Sequence, residues 1–301
     1  MKHLLGLKDV SAEEIQEILK EAFRMKHEIL EKSKKDNCLS GKSIITLFFE
    51  NSTRTRLSFE LASKYLGATA ANIAASGSSV AKGETLIDTA KTIDDMAADV
   101  VIVRHSSSGA PHLISKYTKA SIVNAGDGMH EHPTQALLDL MTMQEKKGDI
   151  KGLRVAIVGD VKHSRVARSN IYGLQKLGAE VVLAGPTTLM PADIEGMGVK
   201  AYHNVDKAIE GADVVMGLRI QLERQQKGSF PTVREYHHYF GINQERMKLA
   251  APDAIVMHPG PVNRGVELAA DVIDGAKSVI DEQVTNGVCV RMAVLKLLTQ
   301  K

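Results

Sequence analysis

Apolar residues recur every three or four positions near the start of the chain, which is the period of a helix with one buried face. Ser11 and Glu14 precede this pattern with the spacing of a capping box, in which each side chain satisfies a backbone N–H of the other residue. The pattern therefore predicts an amphipathic helix over residues 11–32.

Short runs rich in β-branched residues then alternate with stretches of helical spacing. The runs are Ser43–Phe49, Ala70–Ala74, Asp99–Arg104 and Ser121–Ala125. The helical stretches between them cover 54–66, 85–97 and 110–118. Strands that alternate with helices in this way form βαβ units, so the pattern predicts a parallel sheet.

The alternation restarts after a long helix predicted over Pro133–Glu145, which has proline at its first position. The strands of this second series are Arg154–Gly159, Glu180–Ala184, Asp213–Leu218 and Ala254–His258, with a helix near 165–177. Two such series predict an α/β protein with two doubly wound parallel-sheet domains joined by helices. The active site is expected in the cleft between the two domains.

The predicted domains cover residues 1–134 and 135–286, and the last helix, within 287–301, is expected to pack back onto the first domain. Residues 219–242 form a long polar stretch between two strands. Loops of that length in compact domains are usually functional or disordered, so we expect one or the other here.

Composition and charge narrow the class of protein. Of the 301 residues, 44% are hydrophobic and 25% are charged, and the formal net charge is +2. So small a charge, without a long run of lysine or arginine, argues against a nucleic-acid-binding surface. No apolar run approaches the ~18 residues that a membrane span needs. Acidic residues also interrupt the N-terminal region before any signal-peptide core.

The cysteines support the same expectation. Cys38 and Cys289 are far apart and neither belongs to a CxxC pair, so both are expected to be reduced, as in a cytosolic protein. We therefore expect a cytoplasmic protein that has no membrane or nucleic-acid partner.

The turn between the first predicted strand and the next helix is rich in hydrogen-bond donors. Its sequence, Ser52-Thr53-Arg54-Thr55-Arg56, combines three hydroxyls with two guanidiniums. A helix start after a strand offers free backbone N–H groups and the positive end of the helix dipole, and these side chains add donors. The turn therefore predicts an anion site, with an ordinary helix cap and exposed arginines as the alternative. It has no GxxxxGK(S/T), the pattern of a nucleotide P-loop.

Two further segments carry polar groups where α/β sheets bind their ligands. Arg104 ends a predicted strand, although an arginine at such a position is as often a solvated surface charge. His132 stands just before the helix that begins at Pro133, from where its ring can donate to a ligand oxygen, and Gln135 lies one turn further on.

Neither a metal nor a dinucleotide cofactor is predicted. His130 and His132 flank a glutamate, but the HExxH spacing that puts two imidazoles on one helix face is missing and no third ligand is near in sequence. The strand that ends at Gly159 is followed by no further glycine of a GxGxxG turn, so the usual approach of NAD is excluded.

The segment Phe49-Glu-Asn-Ser-Thr-Arg-Thr-Arg56 resembles the carbamoyl-phosphate signature of the aspartate and ornithine transcarbamoylase family, and the similarity continues in order through the entire chain. The resemblance implies a carbamoyl-phosphate-binding domain over 1–134 and an aspartate-binding domain over 135–286. The residues that it assigns to the phosphate are Ser52, Thr53, Arg54 and Thr55. It assigns the carbonyl oxygen to Thr55, Arg104 and His132, with Arg104 also contacting the phosphate, and the carbamoyl amino group to Gln135.

The polar segment 76–85 is by itself typical of a surface loop. In the family that it resembles, this loop crosses a subunit boundary and covers the neighbouring active site. The resemblance therefore implies a homotrimer with shared sites, in which Ser78 binds phosphate and Lys82 binds both substrates of the neighbouring subunit. Ala81 departs from the pattern, because some relatives carry a second lysine there.

Arginines of the second domain match the family's aspartate-binding positions. The resemblance assigns the α-carboxylate to Arg165 and matches Arg219-Ile-Gln221 to an aspartate-binding Arg-x-Gln, and paired N–H groups of guanidinium suit carboxylates. Taken singly, each arginine is equally typical of a surface ion pair.

The turn His258-Pro-Gly-Pro261 cannot continue a strand ladder, so its carbonyls must be exposed. By resemblance, the carbonyls of Gly260 and Pro261 accept hydrogen bonds from the carbamoyl amino group and the attacking amine. Ornithine carbamoyltransferases typically have His-Cys-Leu-Pro at this turn.

The implied reaction is direct attack of the L-aspartate amine on carbamoyl phosphate, an early step of pyrimidine synthesis, without a cofactor. Arg54, Thr55, Arg104 and His132 are the implied catalytic residues. Ornithine carbamoylation and a non-catalytic anion-binding relative are the alternatives. Assembly with regulatory or other pathway proteins is left open.

Overall fold

A computed structural model of the chain describes residues 1–74, 84–220 and 232–300. By their internal contacts these residues form two compact units, Met1–Met141 with Thr285–Lys301, and Thr142–Val284. Each unit is built on one parallel β-sheet with helices, so the predicted class of two parallel-sheet α/β domains is confirmed.

The first unit carries a four-stranded sheet in the order β2-β1-β3-β4. Its strands are β1 (Ser43–Phe48), β2 (Thr69–Ala74), β3 (Val100–His105) and β4 (Ser121–Asp127). The helices are α1 (Ala12–His27), α2 (Thr53–Tyr65), α3 (Leu86–Asp95) and α4 (Ala110–Ile114), with a π-helical turn at Glu28–Lys32 after α1. Helices α5 (Pro133–Lys147) and α11 (Ile280–Thr299) each contain one of the two points at which the units divide.

Local sequence explains the start of α1 and the composition of the strands. The capping box is confirmed, because Glu14 N donates to Ser11 Oγ at 3.2 Å while Ser11 N donates to Glu14 Oε2 at 3.0 Å. Residues 44–48 of β1 are buried without interruption, as expected for a strand of a parallel sheet that is covered on both faces.

The C-terminal part of α11 belongs to the first unit. The Ser121 hydroxyl donates to the Leu298 carbonyl at 3.3 Å, and Lys296 pairs with Glu21 at 2.8 Å. The guanidinium of Arg291 lies 5.1 Å from the centre of the Phe59 ring. The sequence pattern began the last helix near 287, seven residues too late, because its first two turns have no clear apolar period.

The second unit carries a five-stranded sheet in the order β7-β6-β5-β8-β9. Its strands are β5 (Arg154–Val158), β6 (Glu180–Ala184), β7 (Lys200–Tyr202), β8 (Val214–Gly217) and β9 (Ile255–Met257). Its helices are α6 (Arg165–Lys176), α7 (Val205–Ile209), α8 (Val233–Phe240), α9 (Gln244–Met247) and α10 (Ala270–Ile273), with 3₁₀ turns at Thr187–Leu189 and Glu195–Met197.

The prediction of one long loop over 219–242 is wrong for its last part, which is helical. Residues 221–231 lie outside the described range, but α8 occupies Val233–Phe240 and is capped by Thr232, whose hydroxyl accepts from Glu235 N at 3.0 Å. Tyr236 is the buried residue of this short helix, so a single aromatic anchor replaces the longer apolar period that sequence analysis looks for. In the described residues, no helix combines the length and the apolar character that crossing a membrane requires.

Candidate active site

The strand order of each sheet indicates where a ligand should bind. In doubly wound sheets, ligands lie beyond the carboxyl ends of the strands, at the point where the order reverses. That point falls between β1 and β3 in the first unit and between β5 and β8 in the second. The chain segments that leave these strands are the first candidates for a site.

The segment that leaves β1 leads into the N-terminus of α2. Ser52 is the N-cap residue with extended backbone, and in the described part of the chain its side chain makes no capping bond. The first turn of α2 contains no acidic residue, so its N–H groups and positive dipole end are not offset locally. Ser52 is partly buried, Thr53 and Arg54 are exposed, and Thr55 is buried. This is the electrostatic condition of an anion site.

Arg104 lies beside this segment. It is paired in register with Phe48, the last residue of β1, and its side chain is largely buried. Its Nη2 donates to Glu50 Oε1 at 2.6 Å, and its Nη1 donates to the Ala125 carbonyl at 3.2 Å. One guanidinium therefore joins the ends of β1, β3 and β4. Sequence analysis gave Glu50 no role, although an acidic residue beside two arginines was a usable signal.

The segment that leaves β4 is held by a fully buried carboxylate. Asp127 accepts from Gly109 N at 2.7 Å, Asn124 Nδ2 at 2.8 Å and Glu131 N at 3.1 Å. The His130 Nδ1 lies 3.0 Å from its second oxygen. Burial raises the pKa of Asp127, but the hydrogen bonds from His130, Asn124 and the two backbone groups outweigh it and hold the pKa below its usual value. We call the residues from Asp127 to His132 the first corner.

His132 ends this corner and begins α5. Its carbonyl accepts from Gln135 N at 3.0 Å and Ala136 N at 3.2 Å, and its side chain is almost fully buried. Gln135 donates from Nε2 to Asp139 Oδ1 at 3.0 Å, which directs the amide oxygen away from Asp139. As in α2, the first turn of α5 has no acidic residue. Asp139 was not singled out from the sequence, although it is one helical turn from Gln135.

The second unit repeats this design after β5. Gly159 has a φ of 135°, and a Cβ there would meet the Leu218 carbonyl oxygen at 3.1 Å, so the ends of β5 and β8 pack too closely for a side chain. Asp160 is fully buried and lies 2.9 Å from His163 Nδ1. We call the residues from Asp160 to Arg165 the second corner.

Arg165 is the first residue of α6 and its side chain is almost fully buried. Ser164 caps the helix by accepting from Ala167 N at 3.0 Å, and the first turn again lacks an acidic residue. A guanidinium held at a helix start, without a local carboxylate in that turn, suits an anionic ligand.

Arg219 follows β8 by two residues and is partly buried. Its position is set through the next residue, because Ile220 N donates to Glu267 Oε1 at 2.7 Å. The same carboxylate accepts from Asn263 N at 2.8 Å and from Asn263 Nδ2 at 2.6 Å. Burial raises the pKa of Glu267 against these hydrogen bonds. Nothing local in the sequence marked Glu267, since it acts across 47 residues.

The segment that leaves β9 is the turn His258–Pro261. His258 N donates to Gln283 Oε1 at 3.0 Å, and Gly260 N donates to His258 Nδ1 at 2.9 Å. Gly260 has a φ of 66°, which favours glycine, and the Gly260–Pro261 peptide bond is cis. The two backbone N–H groups of the turn are thus committed to Gln283 and to the His258 ring, so carbonyls are the backbone groups that the turn can offer a ligand.

The predicted site residues therefore fall into two described sets. The first set, at the carboxyl edge of the first sheet, is Ser52, Thr53, Arg54, Thr55, Arg104, His132 and Gln135. The second set, at the carboxyl edge of the second sheet, is Arg165, Arg219, Gly260 and Pro261. Ser78, Lys82 and Gln221 lie outside the described residues, and their predicted roles stay predictions.

Each set has its own chemistry. The first combines a helix N-terminus, hydroxyls and guanidiniums with one imidazole, which suits a phosphate next to a carbonyl oxygen. The second contributes two guanidiniums, whose paired N–H groups match the two oxygens of a carboxylate.

Two models of one protein family together cover most of the chain. Residues 2–145 match the aspartate/ornithine carbamoyltransferase carbamoyl-P binding domain, and residues 151–298 match the Asp/Orn binding domain of the same family. The aspartate carbamoyltransferase catalytic subunit of Ruminiclostridium cellulolyticum is 67% identical over 100% of this chain and 96% of its own length. That of Acetivibrio thermocellus is 66% identical with the same coverage.

Solved structures give the same result. Ornithine carbamoyltransferase from Pyrococcus furiosus is 33% identical with a TM-score of 0.89, covering 99% of this chain and 97% of its own. Aspartate transcarbamoylase from Trypanosoma cruzi, in complex with carbamoyl phosphate and aspartate, is 32% identical with a TM-score of 0.87, covering 98% and 94%. The chain therefore belongs to the aspartate/ornithine carbamoyltransferase family.

Proposed function

We propose that this protein transfers the carbamoyl group of carbamoyl phosphate to the amino group of L-aspartate, giving N-carbamoyl-L-aspartate and phosphate, an early step of pyrimidine synthesis. The choice of aspartate rests on whole-chain identity to catalytic subunits of aspartate carbamoyltransferases, which reaches 67%. The observation that carries the chemistry is Arg104, whose guanidinium joins three strand ends beside an open helix N-terminus.

Carbamoyl phosphate is bound through its phosphate by Ser52, Thr53, Arg54 and Thr55. Backbone N–H groups at the start of α2 add donors whose charge complements a dianion. Arg104 Nη2 pairs with Glu50 Oε1 at 2.6 Å. Phosphate competes with this carboxylate for the guanidinium, so substrate binding frees Glu50. Ser78 of a neighbouring subunit completes the phosphate contacts.

The carbamoyl group is oriented by donors to its oxygen and acceptors for its amino group. Thr55, Arg104 and His132 donate to the carbonyl oxygen. Gln135 accepts from the amino group, since its Nε2 is already committed to Asp139 at 3.0 Å. The carbonyls of Gly260 and Pro261 are proposed as further acceptors.

L-Aspartate is bound through its carboxylates. Arg165 takes the α-carboxylate, and Arg219 with Gln221 takes the other, each guanidinium offering paired N–H groups. Lys82 of a neighbouring subunit contacts both substrates. Buried arginine at the start of α6 is well suited to this role, because the anionic ligand offsets both the guanidinium and the helix dipole.

Transfer needs no enzyme nucleophile, because phosphate is a good leaving group. The aspartate amine attacks the carbamoyl carbon, and negative charge develops on its oxygen. Thr55, Arg104 and His132 stabilise this charge, and removing one such donor typically costs about 10²–10³ in rate. The C–O bond to phosphate then breaks, and the departing phosphate accepts the proton that the amine loses. Holding two anions at attack distance supplies a further part of the acceleration.

The proposed assembly is a cytoplasmic homotrimer with shared active sites. Its support is the resemblance of the segment around Ser78 and Lys82 to the family's subunit-crossing loop. Mixing Arg54→Ala chains with Lys82→Ala chains tests this, because some hybrid sites then contain both wild-type residues. Recovered activity on mixing supports shared sites, and two inactive parents that stay inactive on mixing contradict them.

The function is tested by assaying the purified chain with carbamoyl phosphate and either L-aspartate or L-ornithine, with quantification of the carbamoylated product. Turnover with aspartate alone is expected. Turnover with ornithine would show that Arg165 and Arg219 do not select a dicarboxylate. Inactivity with both amines would favour an anion-binding relative.

A further inference from the structure

Three potential metal ligands meet in the first unit, and none of them is assigned to carbamoyl transfer. His112 of α4, Asp127 at the end of β4 and His130 of the first corner each offer one ligand atom, and these three atoms lie within 4.8 Å of one another. His112 and His130 are half-buried, so solvent ions reach the cluster, whereas Asp127 is fully buried. Two imidazoles and one carboxylate are thus presented from separate elements.

The carboxylate of this cluster is rigidly placed. Asp127 Oδ2 accepts from Gly109 N at 2.7 Å, and Oδ1 accepts from Glu131 N at 3.1 Å. Both donors are backbone groups on either side of the cluster, so the position of the carboxylate does not depend on the imidazoles. Metal sites need ligands that are held by a supporting shell of this kind.

The two rings are already next to each other. Their centroids are 5.4 Å apart at an interplanar angle of 69°, and His130 Nδ1 is 3.0 Å from Asp127 Oδ2. Within the described residues, the buried His112 Nδ1 has no hydrogen-bond partner. A buried polar nitrogen without a protein partner is uncommon and calls for an explanation, of which an ion is one.

The second corner provides an internal comparison. His163 and Asp160 have the same spacing as His130 and Asp127, and their nearest atoms are 2.9 Å apart. Among the described residues, no third histidine, cysteine or carboxylate completes a cluster with that pair. A histidine–aspartate pair at this kind of corner is therefore structural by itself, and His112 is what distinguishes the first corner.

We propose that His112, Asp127 and His130 bind a divalent transition-metal ion of the zinc class. Two imidazole nitrogens and one carboxylate oxygen suit zinc and its neighbours better than magnesium or calcium, which favour all-oxygen sites. Ligand atoms about 2.0–2.1 Å from a tetrahedral ion lie roughly 3.3 Å apart. His130 Nδ1 and Asp127 Oδ2 are already 3.0 Å apart, and the wider spacings in the cluster, up to 4.8 Å, must close on binding. Asp127 then exchanges its bond to His130 for the ion, and water fills the remaining coordination.

The ion would join α4 to the first corner, which carries His132 two residues after His130. Its expected effect is local stiffening and thermal stabilisation by mass action, since the unfolded chain does not hold the three ligands together. The inference is independent of the proposed reaction and is measured without turnover.

The test is binding of Co²⁺, a spectroscopic substitute for zinc, to the full chain after removal of metals with a chelator. Wild-type protein should bind about one ion per chain and show visible absorption bands of a site with few ligands. Losing a supporting residue of a metal site costs about 10–100-fold in affinity. His112→Gln and His130→Gln should each weaken binding by at least that factor.

The matched control is His163→Gln, which removes the histidine of the second corner and should leave Co²⁺ affinity unchanged. Circular dichroism checks that each variant is folded, and the two histidine variants stand in for each other if one is not. Equal affinity in His112→Gln, His130→Gln and wild type would overturn the proposal. So would failure of the wild-type chain to bind one equivalent.

Discussion

The first and second corners share one arrangement of aspartate and histidine, but each presents a different functional group. In each, a fully buried aspartate follows a strand, a histidine three positions later lies about 3 Å from that aspartate, and a predicted site residue stands five positions after it at a helix start. The residue delivered is His132 in one unit and Arg165 in the other. The aspartate holds the backbone of the corner. In the proposed function, the residue five positions on decides whether the corner offers an imidazole to a carbonyl oxygen or a guanidinium to a carboxylate.

The two sheets resemble each other more at their amino edges, where the strands begin, than at their carboxyl edges. Asp99, before β3, accepts from Ser43 N at 2.8 Å, and Asp213, before β8, accepts from Arg154 N at the same distance. In both units a carboxylate thus caps the first residue of the central strand. The predicted site residues that the structure describes lie at the carboxyl edges, so the two units share this contact at their amino edges and differ in chemistry at the other.

The largest expected effect comes from the first unit. Arg54→Ala should reduce kcat by about 10²–10³ or more, because an exposed guanidinium at an anion site contacts ligand and not core. The melting temperature should be nearly unchanged. Lys64→Ala, which removes an exposed cation from the same helix, should keep wild-type turnover. Normal turnover of a folded Arg54→Ala protein would show that the phosphate does not bind at the start of α2.

The second corner should respond differently. Arg165→Ala removes the pairing of one guanidinium with a carboxylate, and we take its net loss as that of one charged hydrogen bond, about 1.5–3 kcal/mol. The KM for aspartate should therefore rise roughly 10- to 100-fold, while carbamoyl phosphate binding, measured by calorimetry, is unchanged. Arg168→Ala on the same helix is the control. A loss of carbamoyl phosphate affinity would show that the two corners do not divide the substrates.

Measurements of unfolding free energy test whether the buried aspartate holds each corner in place. In Asp127→Asn, an NH2 group replaces one oxygen and confronts a backbone donor, Gly109 N–H or Glu131 N–H. A buried donor without an acceptor costs about 1–3 kcal/mol, and the free energy of unfolding in urea, measured with a chelator present, should fall by that amount. Asp160→Asn should show a comparable loss. An unchanged midpoint in both variants would mean that the aspartates do not hold the corners.

The smallest effect is expected at the amino edge. Burial raises the pKa of Asp99, but hydrogen bonds from Ser43 and the charge of Lys42 outweigh it, so the folded pKa is lower than the usual value. Asp99 therefore stabilises the fold above its unfolded pKa of about 3.9, and this contribution is lost as pH falls through the folded value.

Because Asp99 is partly exposed, Asp99→Asn should cost about 1 kcal/mol or less at pH 6. The cost should shrink as pH falls through the folded pKa, because the wild-type carboxyl is then protonated as well. Parallel urea titrations of wild type and variant at several pH values measure this. A cost that grows as pH falls would contradict a folded pKa of Asp99 that is lower than the unfolded one.

Much of the fold was readable from the sequence because its signals are local. A capping box, buried strand runs and a proline at a helix start each act within a few residues, and α1, β1 and α5 followed from them. The hydroxyl-rich turn of Ser52–Arg56 was readable for the same reason. Short elements without a clear period, such as α8 and the start of α11, were missed because one buried aromatic or a neighbouring strand stabilises them.

By itself, the sequence determined which groups this protein can offer a ligand, and their order along two α/β series. Only the tertiary structure decided which of them meet. Glu50 reaches Arg104 across 54 residues, Glu267 reaches Ile220 across 47, and His112 meets Asp127 from another element. Parallel strands bring distant segments to one edge, and strand order, which depends on how whole elements pack, has no local signal in the chain.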